Sequence, residues 1–157
     1  MGSGTWLLKA TSPSWLSWSG LAFENIWLKH IPQIKKAMGI AAVYTEQSAW
    51  RFVSKGDGQG VQIDLLIDRQ DNCINVCEIK FSKNIFALTK EYAESLKKKR
   101  WVFEDKTGTK KTVFITMFTS FGVTVNEYYL GNIQNQLEMG VLFKPFFALK
   151  YKSHEST

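Results

Sequence analysis

The stretch VQIDLLIDRQDNCINVCEIK, residues 61–80, decides the fold. Residues 61–68 alternate apolar and polar positions, residues 69–72 (RQDN) form a tight connection, and residues 73–81 return as a second apolar run. This pattern predicts an antiparallel hairpin. The second strand has the character of a buried strand, yet it ends on Glu78 and Lys80. Side chains two residues apart point to one side of a strand, so both charges share a face with Ile74 and Val76. Desolvating two charges is costly unless they are paired or used.

Outward from the hairpin, both flanks carry a helical period. Residues 20–38 place Phe23, Trp27, Ile31, Ile34 and Met38 on one stripe, with Pro32 bending or splitting the helix and Gly39 ending it. Residues 86–103 do the same with Leu88, Tyr92, Leu96 and Phe103. Residues 40–53 and 109–120 are rich in strand formers, and residues 56–60 (GDGQG) signal a loop. After Gly122 the pattern predicts one more strand, a loop, and a short helix or turn near residues 137–143. Residues 1–19 form a lead-in segment in which Trp15, Leu16 and Trp18 suggest packing, and residues 144–157 form a tail of unassigned structure. The order of helix, strands, helix and strands predicts a single α/β domain over residues 1–157, a mixed β-sheet flanked by helices.

The chain has 157 residues, with 45% hydrophobic and 22% charged positions, which suits one domain with a real core. No apolar run approaches the roughly 20 residues of a membrane span, so no membrane association is expected. Cys73 and Cys77 lie four steps apart on one strand, about 13 Å, too far for a disulfide. They fit buried thiols in a reducing cytoplasm, and with His30 and His154 they do not make a zinc site of usual spacing. The net charge of +6 concentrates in residues 97–100 (KKKR), 106–111 and 150–152. Such a balance permits nucleic-acid binding, though a solvated lysine face explains each cluster alone.

Asp64 lies on the first hairpin strand, and a tight turn at 69–72 brings it near Glu78 across the ladder. Two close carboxylates repel unless a cation sits between them. Hard oxygen ligands with room for water suit Mg²⁺ or Mn²⁺, with the carbonyl of Ile79 as a further ligand. Lys80 is placed to orient a water or to stabilise charge on a phosphate. Glu24 borders the apolar stripe of the first helix, in register with Trp27, Leu28 and Ile31, and so points toward the sheet, where it joins the metal cluster or orients Lys80. The plainer alternative is an ion pair between Glu78 and Lys80 at a sheet edge. Asp68 is expected in the turn, Gln62 on the same face as Asp64, Tyr92 in the core and Lys90 in solvent.

Asp64 and the Glu78–Ile79–Lys80 triplet, 14 positions apart on a hairpin and preceded by a helix bearing Glu24, resemble the PD-(D/E)XK nuclease superfamily. Ile63 stands where the nominal motif has Pro. The segments SWSGLAFEN, GVQIDLLIDRQDN, CEIKFSKN and TKEYAESLKKK look more closely like the nuclease-like domain at the C-terminus of a family of prokaryotic AAA-type ATPases. This resemblance runs from about residue 15 to residue 143. It implies a restriction-endonuclease-like core, Mg²⁺- or Mn²⁺-dependent cleavage of DNA leaving a 5′-phosphate, and catalytic roles for Glu24, Asp64, Glu78 and Lys80. An AAA-type ATPase module and a homo-oligomer are the implied protein partners. The chain has no phosphate-binding Gly-x-x-x-x-Gly-Lys-Ser/Thr loop, so it is expected to be either a free-standing version of the domain or a part cut from an ATPase. The opposing expectation is a catalytically inactive DNA-binding or protein-interaction module of the same fold.

Overall fold

The computed structural model describes residues 13–56 and 60–144. Five strands form one mixed sheet in the order β1 (Thr45–Phe52), β2 (Val61–Arg69), β3 (Cys73–Lys80), β4 (Thr112–Thr119) and β5 (Asn135–Glu138). β1, β2 and β3 form an antiparallel meander. β4 runs parallel to β3, and β5 parallel to β4. The β3–β4 connection is helix α3 (Lys90–Thr107), as a parallel pair requires a long crossover. The expected mixed sheet with flanking helices is therefore present. No helix among the described residues is long and apolar enough to cross a membrane.

The first helical stretch is two helices, α1 (Pro13–Leu28) and α2 (Ile31–Ala37). Pro32 lies in the first turn of α2, where its missing N–H is harmless, and the break falls just before it. α1 starts earlier than the apolar stripe suggested, because Pro13 suits a first helical turn and the lead-in continues into it. In that lead-in Trp18 is 59% exposed, and Trp15 and Leu16 fall outside the described side chains. α3 starts later than expected. Thr89 caps it by accepting from the Tyr92 N–H at 3.2 Å, and Gly108 ends it at φ 62°. Phe86 and Leu88 thus belong to the loop before α3. After β4 come a short helix α4 (Glu127–Leu130), β5, and a 3-10 turn (Met139–Phe143). The tail from residue 145 lies outside the described residues.

Two apolar layers hold the sheet. On one face Phe23 and Trp27 of α1 and Ile34 of α2 pack on Leu65, Ile67, Cys77 and Phe118. On the other, Val102 and Phe103 of α3 pack on Ile63, Leu66, Val76 and Val113, while Ala93 and Leu96 meet Ile115 and Met117. Cys77 is buried, and burial pushes its thiol pKa far up, as expected of an inert core cysteine.

A polar pair, Asn75 of β3 and Thr116 of β4, lies in the sheet's centre. Asn75 is fully buried; its amide donates to the Thr116 hydroxyl at 2.9 Å and its oxygen accepts from Arg69 at 3.2 Å. Asn75→Ala removes the donor to the buried Thr116 hydroxyl and one of the acceptors of Arg69, which keeps Asp71, and is expected to cost about 2 kcal/mol. A lower urea midpoint with unchanged slope checks it.

Candidate active site

β2 and β3 do not stay paired along their length. Their ladder runs from Asp68↔Ile74 to Leu65↔Cys77. Beyond it β2 continues beside β1, with Ile63 opposite Trp50, while β3 continues beside β4, with Glu78 opposite Met117 and Lys80 opposite Thr119. The sheet therefore forks, and Asp64 and Glu78 are the first residues past the point of opening.

Asp64 also sits in a bulge. Ser48 stands opposite Leu66 and Trp50 opposite Ile63, so Ala49 spans both Asp64 and Leu65. The extra residue shifts the pleat. Val61 and Ile63 pack with Leu66 against α3, whereas Leu65 and Ile67 pack against α1 and α2. A bulge re-aims a side chain out of the regular alternation. Asp64 accepts from the Gln62 amide at 2.6 Å, and its charge is felt by Glu24 of α1. Burial, and secondly the Asp64 charge, hold the Glu24 carboxyl above its ordinary pKa.

Glu78 faces the α3 layer. Its Oε1 accepts from the Tyr92 hydroxyl at 2.7 Å, and its Oε2 accepts from Lys99 Nζ at 2.6 Å. Burial, followed by the Glu78 charge, pushes the Tyr92 phenol pKa far up, so Tyr92 acts as a hydrogen-bond donor. Lys80 Nζ lies 5.7 Å from the ring centroids of both Phe86 and Tyr92. Among the described residues it has no carboxylate within ion-pair distance, so the alternative of a Glu78–Lys80 ion pair does not hold: Lys99 takes that place. The loop after Lys80 is stitched to the loop after β4. Phe86 and Gly122 share a hydrogen bond, as do Thr124 and Phe86, and Ser82 and Ser120 bond in both directions. That stitching fixes the Phe86 ring beneath Lys80.

Asp64 thus faces the α1 layer with Glu24, and Glu78 faces the α3 layer with Tyr92, Lys80 being near the same ring. The two carboxylates expected close together on one side lie instead on opposite sides of the fork, because the strands part and the pleat sets them to different layers. Ile79 lies between, its side chain packed on the α1 layer. Among the described residues no three His, Cys, Asp or Glu side chains gather as a ligand group. The carboxylates of Glu24, Asp64 and Glu78 are hard oxygen donors. Glu78 already carries an ammonium, and the Glu24–Asp64 repulsion is what a divalent ion relieves.

Two site residues escaped the sequence. Tyr92 reads as core and Lys99 as one of a solvated basic run, yet both hold Glu78. The signal was spacing: Tyr92, Leu96, Lys99 and Phe103 form one inner stripe of α3, with Lys99 standing at an apolar place. Lys90 is exposed, as expected. The basic run at 106–111 lies elsewhere. Lys111 pairs with Asp68 and sits next to Thr112, which is opposite Cys73, five residues or about 16 Å along β3 from Glu78. Gln62 shares the side of Asp64, but Asp68 is not in the turn as expected: the ladder runs on to Arg69, so Asp68 stays in β2 opposite Glu46 and Ile74 and pairs with Lys111.

Compared with known proteins, the chain matches no family model, no curated protein and no solved structure.

Proposed function

We propose that this chain is a metal-dependent DNA phosphodiesterase built on a restriction-endonuclease-like core, and that the fork between β2 and β3 is its active site. The fork carries the reading. Asp64, re-aimed by a bulge, and Glu78 are the first residues past the opening, and Lys80 two residues on has no carboxylate within ion-pair distance among the described residues. In this reading Asp64 and Glu78 would turn from their opposite layers into the opening of the fork and there, with the Ile79 carbonyl and water, would hold Mg²⁺ or Mn²⁺. The bound ion supplies charge that stabilises the phosphate and acidifies a water. Lys80 orients that water. Its ammonium rests on two aromatic faces, a weakly held position from which it turns toward a phosphate oxygen. Tyr92 orients Glu78 by donating to it. Glu24 sets the charge around Asp64. A place beside an AAA-type ATPase module belongs to the same proposal and rests on the sequence resemblance alone.

The test is direct. Purified protein is expected to nick supercoiled plasmid with Mg²⁺ or Mn²⁺, to stop on chelation, and to leave 5′-phosphates that ligase reseals. The engagement of both Glu78 oxygens favours a second reading, a closed structural ion pair in a module that binds DNA or protein without cutting. Salt-sensitive DNA binding with no cleavage under any divalent metal decides for that reading.

A further inference from the structure

Lys99 occupies the place on Glu78 that the proposed metal needs. The Lys99–Glu78 pair is half-enclosed, with side chains 25% and 17% exposed. Glu78 without a cation is an anion largely removed from water, a costly state. Lys99 supplies the missing charge at 2.6 Å, while Tyr92 takes the other oxygen. A divalent ion binds a carboxylate oxygen at about 2.1 Å and repels an ammonium on the same group. Lys99 reaches Glu78 from a different element, on a four-carbon stem that is free to swing away.

We infer that Lys99 is a built-in counter-cation that holds Glu78 in the metal-free protein and must leave that carboxylate before a divalent metal can bind. The inference rests on the metal reading of Glu78 given above. It makes metal loading a competition between two cations for one carboxylate. The protein stays correctly folded without metal, and its affinity for metal is lowered in exchange.

Mn²⁺ binding to the whole chain, measured by calorimetry with no DNA present, tests this. Lys99→Met keeps length and packing but removes the charge, and is expected to bind Mn²⁺ about tenfold more tightly than wild type. Lys99→Arg keeps the charge and is expected to stay within about threefold of wild type. The Lys99→Met protein should also melt lower without metal and gain more from added Mn²⁺ than wild type does. Unchanged or weaker Mn²⁺ binding by Lys99→Met overturns the inference while leaving the nuclease reading intact. Mn²⁺ binding by Glu78→Ala equal to wild type overturns the metal reading and the inference with it. Should Lys99→Met not fold, the wild type still decides. Saturating Mg²⁺ should move the Lys99 side-chain amine NMR signal and leave that of Lys111, paired with Asp68 at the far end of β3, in place. A Lys99 signal that does not move overturns the inference.

Discussion

Lys80→Ala is expected to lower DNA cleavage by about 10²–10³-fold, the usual loss when one preorganised charge-stabilising group is removed. Its stability should change little. Lys80 Nζ rests near the Phe86 and Tyr92 rings and, among the described residues, balances no carboxylate, so truncation leaves no buried charge unpaired. Glu78 differs. Glu78→Ala removes a metal ligand and also strands Lys99 and the Tyr92 hydroxyl, a loss of about 1–3 kcal/mol on top of the lost activity. Glu78→Gln is the cleaner variant, since its amide oxygen still accepts from Tyr92 while the charge is gone. Asp64→Asn keeps the Gln62 contact and loses the charge. Glu24→Gln should be the mildest, because Glu24 stands on α1 and sets the charge around Asp64 rather than holding the ion itself. The four positions should therefore rank by charge lost at the fork rather than by volume removed. Cleavage and circular dichroism on the same preparations separate the two effects. Equal cleavage by wild type and Glu78→Gln would mark a contaminating nuclease and sink the enzymatic reading.

Much of this site was visible in the order of residues, and what was hidden has a physical reason. The β2–β3 hairpin was legible because its pattern is local: two runs with strand character joined by a short turn, with Asn72 at φ 66°. The bulge was not. The alternation of Val61, Ile63 and Leu65 runs on as if the strand were regular, and the shift appears only in the pairing with β1, where Ala49 faces two residues. That one residue separates Asp64 from Leu66 and Asp68, which a regular strand would place together. The partners of Glu78 were hidden for the opposite reason. Lys99 is 21 positions away, and a run of four basic residues reads as solvent-facing until the helix is docked. The break before Pro32 was legible as a bend or split, whereas the start of α1 was not, since Ser, Gly and Trp give no sharp helical stripe over residues 13–20.

Trp27→Ala is expected to be among the most destabilising single changes in the chain, at about 3–5 kcal/mol. Trp27 is 0% exposed and lies stacked on Phe118 of β4, with ring centroids 4.6 Å apart and planes 18° from parallel. Phe23 meets it edge-on at 6.1 Å, so truncation empties the centre of the α1 layer. For a domain of this size the loss corresponds to a drop in Tm of roughly 6–20 °C. Trp27→Phe should cost much less than its smaller volume suggests. The indole Nε1 of Trp27 is buried with no hydrogen-bond partner among the described residues, and phenylalanine removes that donor while keeping a ring on Phe118. The effect should also reach the fork. Glu24 stands three residues before Trp27 on the same helix, so loosening the Trp27 contact frees the Glu24 carboxylate from its place beside Asp64. Measured well below both melting points, Trp27→Ala should therefore cleave more slowly than Trp27→Phe. If the alanine variant melts within 2–3 °C of wild type, the loss is about 1 kcal/mol or less, and the Trp27–Phe118 stack does not anchor α1 to the sheet.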